Sequence, residues 1–142
     1  MKIKLSNEKL RFIALFEELT GVTPKDFVKS GNGDRFTFVV AEDDMGKAIG
    51  ENGRNIKKVR KKLSKDVNVV KYSPDPKEFL KNIFSQIEIQ NINIDEEEGK
   101  KKAYINVDMS EKGRVVGRNG WNIERARKLS DRHHGISEVI LA

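Results

Sequence analysis

Cysteine is absent from all 142 residues. That excludes disulfides, thiolate-ligated zinc, iron–sulfur clusters and a cysteine nucleophile. No apolar run approaches the roughly 18 residues of a membrane span, and the opening Met-Lys-Ile-Lys-Leu-Ser-Asn lacks the apolar core of a secretory signal, so no membrane association and a cytoplasmic location are expected. The motif inventory is equally bare. There is no Gly-x4-Gly-Lys-[Ser/Thr] phosphate loop, no Gly-x-Ser-x-Gly elbow and no His-Glu-x-x-His, so no enzyme, catalytic residue, metal ligand or cofactor is expected. Gly31-Asn-Gly33 lacks the third glycine of a dinucleotide turn and reads as a hairpin. Glu96-Glu-Glu98 and Asp43-Asp44 read as a charged turn and a helix N-terminus, and His133-His134 as a helix end.

What the chain does have is an internal repeat, which takes precedence over any local reading. Gly46-Lys-Ala-Ile-Gly-Glu-Asn-Gly-Arg-Asn-Ile-Lys-Lys-Val-Arg-Lys61 aligns without gaps on Gly113-Arg-Val-Val-Gly-Arg-Asn-Gly-Trp-Asn-Ile-Glu-Arg-Ala-Arg-Lys128, and eight of the 16 positions are identical. The offset is 67 residues, so two copies of one small unit account for nearly the whole chain. A boundary is expected at Tyr72-Ser-Pro-Asp-Pro76, where two prolines stiffen a short linker, giving domains at 1–73 and 74–142.

Each copy predicts the order α-β-β-α-α-β. In the first, Leu10, Ile13, Ala14 and Leu19 have helical spacing and Gly21 ends the helix. Phe27-Val28 and Phe36–Val40 flank a Gly-Asn-Gly-Asp turn as a hairpin. Asp43 is expected to cap a short helix through Ala48-Ile49, after which Gly50-Glu51-Asn52-Gly53 turns into a helix carrying Ile56, Val59 and Leu63 on one face; Val67–Tyr72 closes the unit as a strand. In the second, Asp75-Pro76 starts a helix bearing Phe79, Leu80, Ile83 and Phe84 inward. Ile87, Ile89, Ile92 and Ile94 alternate but slip phase at Gln90-Asn91, which predicts a β-bulge. Glu96 to Gly99 are expected to turn, and Ala103, Ile105 and Val107 to return. Ser110 takes the place of Asp43, Gly117-Arg118-Asn119-Gly120 forms the second turn, Ile123, Ala126 and Leu129 line the next helix, and Ile136–Leu141 ends the unit.

Two copies of [Ile/Val]-Gly-x-Asn-Gly-x-Asn-Ile, each between two helices in this order, resemble the Gly-x-x-Gly loop of the KH domain in its type II form. The whole chain is similar to the archaeal-type NusA transcription factor family, without the additional polymerase-binding and S1 domains of the bacterial form. The resemblance implies an α+β fold of two tandem type II KH domains, each a three-stranded sheet packed on helices. It also implies a factor that holds single-stranded nascent RNA through both loops to modulate elongation or termination, since KH loops clamp about four nucleotides of backbone each. Single-stranded RNA is the implied ligand, RNA polymerase the candidate protein partner, and a monomer the expected state.

The loop chemistry stands beside that resemblance. Glycines admit close backbone approach, and the helices starting at Arg54 and Trp121 offer N–H groups and a positive dipole end to an anion. The formal charge of +6 is unevenly placed: residues 46–65 carry +7 and residues 113–132 carry +4, leaving −5 on the other 102. The expected RNA-binding residues are Gly50, Glu51, Asn52, Gly53, Arg54, Lys57, Lys58 and Lys61 in the first copy, and Gly117, Arg118, Asn119, Gly120, Trp121, Arg125 and Lys128 in the second. Glu51 occupies the first-loop position that Arg118 fills in the second, so the second loop is expected to clamp the backbone more strongly while the helix from Lys57 to Lys65 steers the strand onto the first. If about six phosphates are contacted, affinity should fall roughly 10³-fold between about 50 and 200 mM salt.

Two features remain open at this level. Ile49, Ile56, Val116 and Ile123 either floor an apolar base groove or fill the core, and Trp121 either stacks on a base or packs against the first unit. The alternatives in function are a KH protein of ribosome assembly or RNA processing, and a helix-hairpin-helix reader of duplex DNA.

Overall fold

The computed structural model describes residues 6–142, so the first five residues of the expected N-terminal domain lie outside the described residues. The chain separates into two compact units, with the division between Tyr72 and Ser73. In the first, α1 (Asn7–Thr20) starts at Ser6, whose side chain accepts a hydrogen bond from the Lys9 amide at 3.1 Å, and ends at Gly21 in the left-handed region (φ 74°). The buried stripe of α1 differs from the aliphatic one expected. Leu10 is 47% exposed and Ala14 is also exposed, whereas Phe16 is fully buried and Phe12, Ile13 and Leu19 pack partly against the core. The i, i+4 pair Phe12 and Phe16 takes that place because an aromatic ring removes more apolar surface from water. Phe16 stacks on Phe38 with centroids 4.2 Å apart, and Phe12 leans on Phe36 at 4.8 Å.

β1 (Asp26–Ser30) and β2 (Arg35–Val40) form the hairpin, antiparallel and in unbroken register. β3 (Asp66–Lys71) lies parallel to β2, giving the order β1-β2-β3. A parallel neighbour requires a crossover, and α2 (Met45–Ile49) with α3 (Arg54–Leu63) supplies it. A 3₁₀ turn at Glu42–Asp44 precedes α2. Asp43 does not cap it: the turn begins at Ala41 and no side chain caps it.

The second unit has the same order. α4 (Pro76–Ile83) has proline in its first turn and Asp75 as N-cap, accepting from the Lys77 amide at 3.2 Å; Phe79, Leu80, Ile83 and Phe84 are buried. β4 (Ile89–Glu97), β5 (Lys100–Val107) and β6 (Ile136–Leu141) form a sheet of order β4-β5-β6, antiparallel then parallel. The register shifts between Ile89 and Asn91, at the expected phase slip. The hairpin turn is tighter than expected. Only Glu98 (φ 53°) and Gly99 (φ 78°) make it, because Glu96 and Glu97 pair across the strands with Lys101 and Lys100.

α5 (Lys112–Val116) and α6 (Trp121–His134) complete the crossover. Here the cap is Asp108 rather than the expected Ser110: the Asp108 carboxylate accepts from the Ser110 amide at 3.2 Å and from its hydroxyl at 2.5 Å. Those bonds hold the Asp108 carboxyl below its ordinary pKa. No helix among the described residues is long and apolar enough to cross a membrane.

Candidate nucleic-acid interface

The repeated motif becomes a repeated backbone. Gly50 (φ 79°, ψ 168°) leads to Asn52 (φ 56°, ψ 26°) and Gly53 (φ 73°, ψ 18°); Gly117 (77°, 164°), Asn119 (56°, 24°) and Gly120 (75°, 15°) retrace the same path. In both loops the second glycine amide bonds back to the first glycine carbonyl at 3.0 Å. The two glycines of a pair serve different purposes. A Cβ on Gly50 would lie 2.9 Å from the Asn55 amide nitrogen, and one on Gly117 would lie 2.6 Å from Trp121 Nε1, so the first glycine lets loop and helix pack. A Cβ on Gly53 would meet nothing nearer than 3.7 Å, and one on Gly120 nothing within 4 Å. The second glycine therefore opens space beside the helix start while holding a positive φ.

No side chain caps α3 or α6 at this end, since Gly53 and Gly120 are the N-caps. Their positive dipole ends thus face the open side of the loops. The loop is fixed from behind by a residue that motif reading left without a role. Asn55 Nδ2 donates to the Lys47 carbonyl at 2.7 Å, and Asn122 Nδ2 donates to the Arg114 carbonyl at 3.1 Å, tying each long helix to the short one before it. Identity of this asparagine across the repeat was the available signal.

Of the expected site residues, Glu51, Asn52, Arg54, Lys57, Lys58 and Lys61 are exposed in the first unit and Arg118, Asn119 and Lys128 in the second, while the four loop glycines are partly exposed. α3 bears Arg54, Lys57, Lys58, Arg60, Lys61 and Lys62 and no acid. The second helix is less generous. Glu124 stands where the first copy has Lys57, and it pairs with Lys128 at 2.9 Å.

Arg125 departs from expectation outright. It is only 5% exposed, and its guanidinium donates to the Ile83 carbonyl at 2.8 Å and to Asn122 Oδ1 at 2.7 Å, so its charge is turned into its own unit rather than toward a phosphate. Its Cζ also lies 4.9 Å from the centroid of Trp121, which is half-buried against the second loop. The apolar residues divide as well. Ile56 and Ile123 are 5% and 7% exposed and belong to the core, whereas Ile49 and Val116, at 37% and 36%, stand at the surface beside each loop. His133 and His134 end α6 against Phe79, and the His134 Nε2 lies 2.9 Å from the Ser73 carbonyl.

Comparison with known proteins agrees with this geometry. A family model described as a KH domain matches residues 12–74, and one described as a NusA-like second KH domain matches residues 76–140. Fold and loops thus define a tandem KH protein. The chain is 35% identical over 142 residues to the "Probable transcription termination protein NusA" of Halococcus morrhuae, covering all of both chains. It is 34% identical over 139 residues to the protein of that name from Methanococcus vannielii, covering 98% of this chain and 79% of the relative. The "Transcription termination/antitermination protein NusA" of Thermus thermophilus is 33% identical over 100 residues, 68% of this chain but 25% of that one. Among solved structures, the crystal structure of APE1850 matches with a TM-score of 0.80 and 36% identity, over 97% of this chain and 100% of that one. The chain belongs to the NusA family, as an RNA-binding factor built from two KH domains.

Proposed function

We propose that the loops Gly50–Gly53 and Gly117–Gly120 each clamp the sugar–phosphate backbone of single-stranded RNA, and that the chain uses both clamps on nascent transcripts during elongation or termination. The observation that carries this reading is the duplicated loop: two backbones with matching dihedrals, each opening onto a helix start that no side chain caps, within two basic windows of the chain. Ile49 and Val116 supply apolar surface on which unpaired bases lie, and Arg54, Lys57, Lys58, Lys61, Arg118 and Lys128 neutralise flanking phosphates. Trp121 offers ring surface for a base beside the second loop. The names of the relatives point to transcription, with RNA polymerase the proposed protein partner. The factor binds rather than catalyses, acting as a cytoplasmic monomer.

A carboxylate introduced in a loop tests the clamps separately. Asn52→Asp and Asn119→Asp place a negative charge at equivalent positions, and Arg118 makes the second loop the tighter one, so Asn119→Asp should weaken binding to a labelled single-stranded RNA more. Equal losses would sink the asymmetry. A duplex DNA competitor that displaces the RNA as well as unlabelled single strand does would reject the groove, which needs unpaired bases.

A further inference from the structure

The second loop is braced from beneath in a way the first is not, and the brace is Arg125. α1 continues past Phe16 to Thr20, where Thr20 Oγ1 donates to the Phe16 carbonyl at 2.7 Å. Ile83, equivalent to Phe16 at the 67-residue offset, is the last residue of α4, and its carbonyl accepts instead from the Arg125 guanidinium at 2.8 Å. A helix-end carbonyl needs a donor, and a cation there also meets the negative end of the dipole. The same guanidinium donates to Asn122 Oδ1, which fixes the amide so that Nδ2 faces the Arg114 carbonyl. Its Cζ lies over the Trp121 ring, 4.9 Å from the centroid, and Trp121 in turn fills the space a Cβ on Gly117 would need. The first unit has exposed Lys58 and Arg54 where these two residues stand.

We infer that Arg125 is a positioning residue of the second clamp: without touching RNA, it locks Asn122 and Trp121 so that the Gly117–Gly120 loop is set before ligand arrives. The structural half of this stands alone, and the half that concerns RNA rests on the proposed function. A clamp already set spares the ordering cost of side chains that would otherwise be fixed on binding. Lysine cannot replace this arginine, because it lacks the planar fork that serves two acceptors and a ring together.

Trp121 is the only tryptophan, so emission of the full chain reads this site alone. In Arg125→Lys, acrylamide should quench Trp121 more strongly than in the parent. The Kd for a mixed-sequence single-stranded RNA of about 12 nucleotides should rise about three- to tenfold, with the salt dependence of binding unchanged. Unchanged quenching overturns the inference, and so does an Arg125→Gln variant whose salt slope is shallower than the parent's, which would make Arg125 a phosphate contact. If the parent chain binds no such RNA, the proposed function falls while the quenching comparison still decides whether Arg125 holds Trp121. Should Arg125→Lys not fold, NMR of the parent chain decides. The Arg125 Nε proton should exchange slowly, carry a ring-current shift and keep it on RNA addition; a solvent-averaged signal, or one that moves with RNA as Arg118 does, overturns the inference.

Discussion

Replacing Lys57, Lys58 and Lys61 together with alanine should change how binding responds to salt more than it changes the fold. All three are exposed on α3, alanine is the best helix former, and exposed substitutions of this kind alter stability by about 0.5 kcal/mol or less. Six exposed cations flank the loops: Arg54, Lys57, Lys58, Lys61, Arg118 and Lys128. At roughly −0.7 per neutralised single-strand phosphate, six give a slope of log affinity on log salt near about −4, or a loss of about 300-fold between about 50 and 200 mM. This refines the roughly 10³-fold expected from sequence, because the single-strand coefficient is smaller than the duplex one. The triple variant should fall to a slope of about −2 and lose only about 20-fold over the same range. Anisotropy titrations of labelled single-stranded RNA at four salt concentrations measure this. A triple variant with the parent slope, or a parent slope shallower than about −2, refutes the placement of phosphates along α3.

The loop glycines should separate by their neighbours. Gly50→Ala drives a Cβ to 2.9 Å from the Asn55 backbone and should cost about 3 kcal/mol in urea unfolding, whereas Gly53→Ala meets only the strain of its positive φ and should cost about 1 kcal/mol. Equal costs would mean that helix–loop packing does not fix the first glycine. Burial holds the His134 imidazole below its ordinary pKa, against the bond to the Ser73 carbonyl that acts the other way. The unfolded chain then binds that proton more readily, so the effect is absent above about pH 6.5 and stability falls as pH drops from there toward the folded-state pKa. His134→Gln should flatten thermal stability between about pH 7 and 5.5, and an unchanged decline would assign it to other groups.

Much of the architecture was legible because the repeat made each unit a check on the other. The loop Gly50–Gly53 alone is a common turn; the same tetrapeptide pattern at 117–120, between the same element types, fixed both as helix-to-helix joints. The β-bulge at Ile89/Asn91 was legible for a different reason, since a strand has period two and any slip shows directly. The misses came where competition among side chains decides. Leu10 and Phe16 both fit a helical stripe, and only the packing of Phe12 and Phe16 on Phe36 and Phe38 excludes Leu10. Arg125 read as surface charge because nothing local reveals that α4 stops at Ile83 and leaves a carbonyl in need of a donor 42 residues away in sequence.

The two loops share a backbone but place charge in opposite ways. At the variable loop position the first has Glu51 and the second Arg118; in the first turn of the following helix the first has Lys57 and the second Glu124. These reversals leave each pair neutral, so the contrast between units rests on the remaining positions. There the first offers exposed Arg54, Lys58 and Lys61, while the second offers Trp121, a buried Arg125 and exposed Lys128. Exposed, mobile cations raise the rate at which a polyanion arrives, and a braced loop with a cation at its tip slows its departure. If both loops clamp RNA as proposed, duplication of one small domain gives two sites with separate kinetic tasks: α3 gathers the strand, and the loop beside Trp121 keeps it.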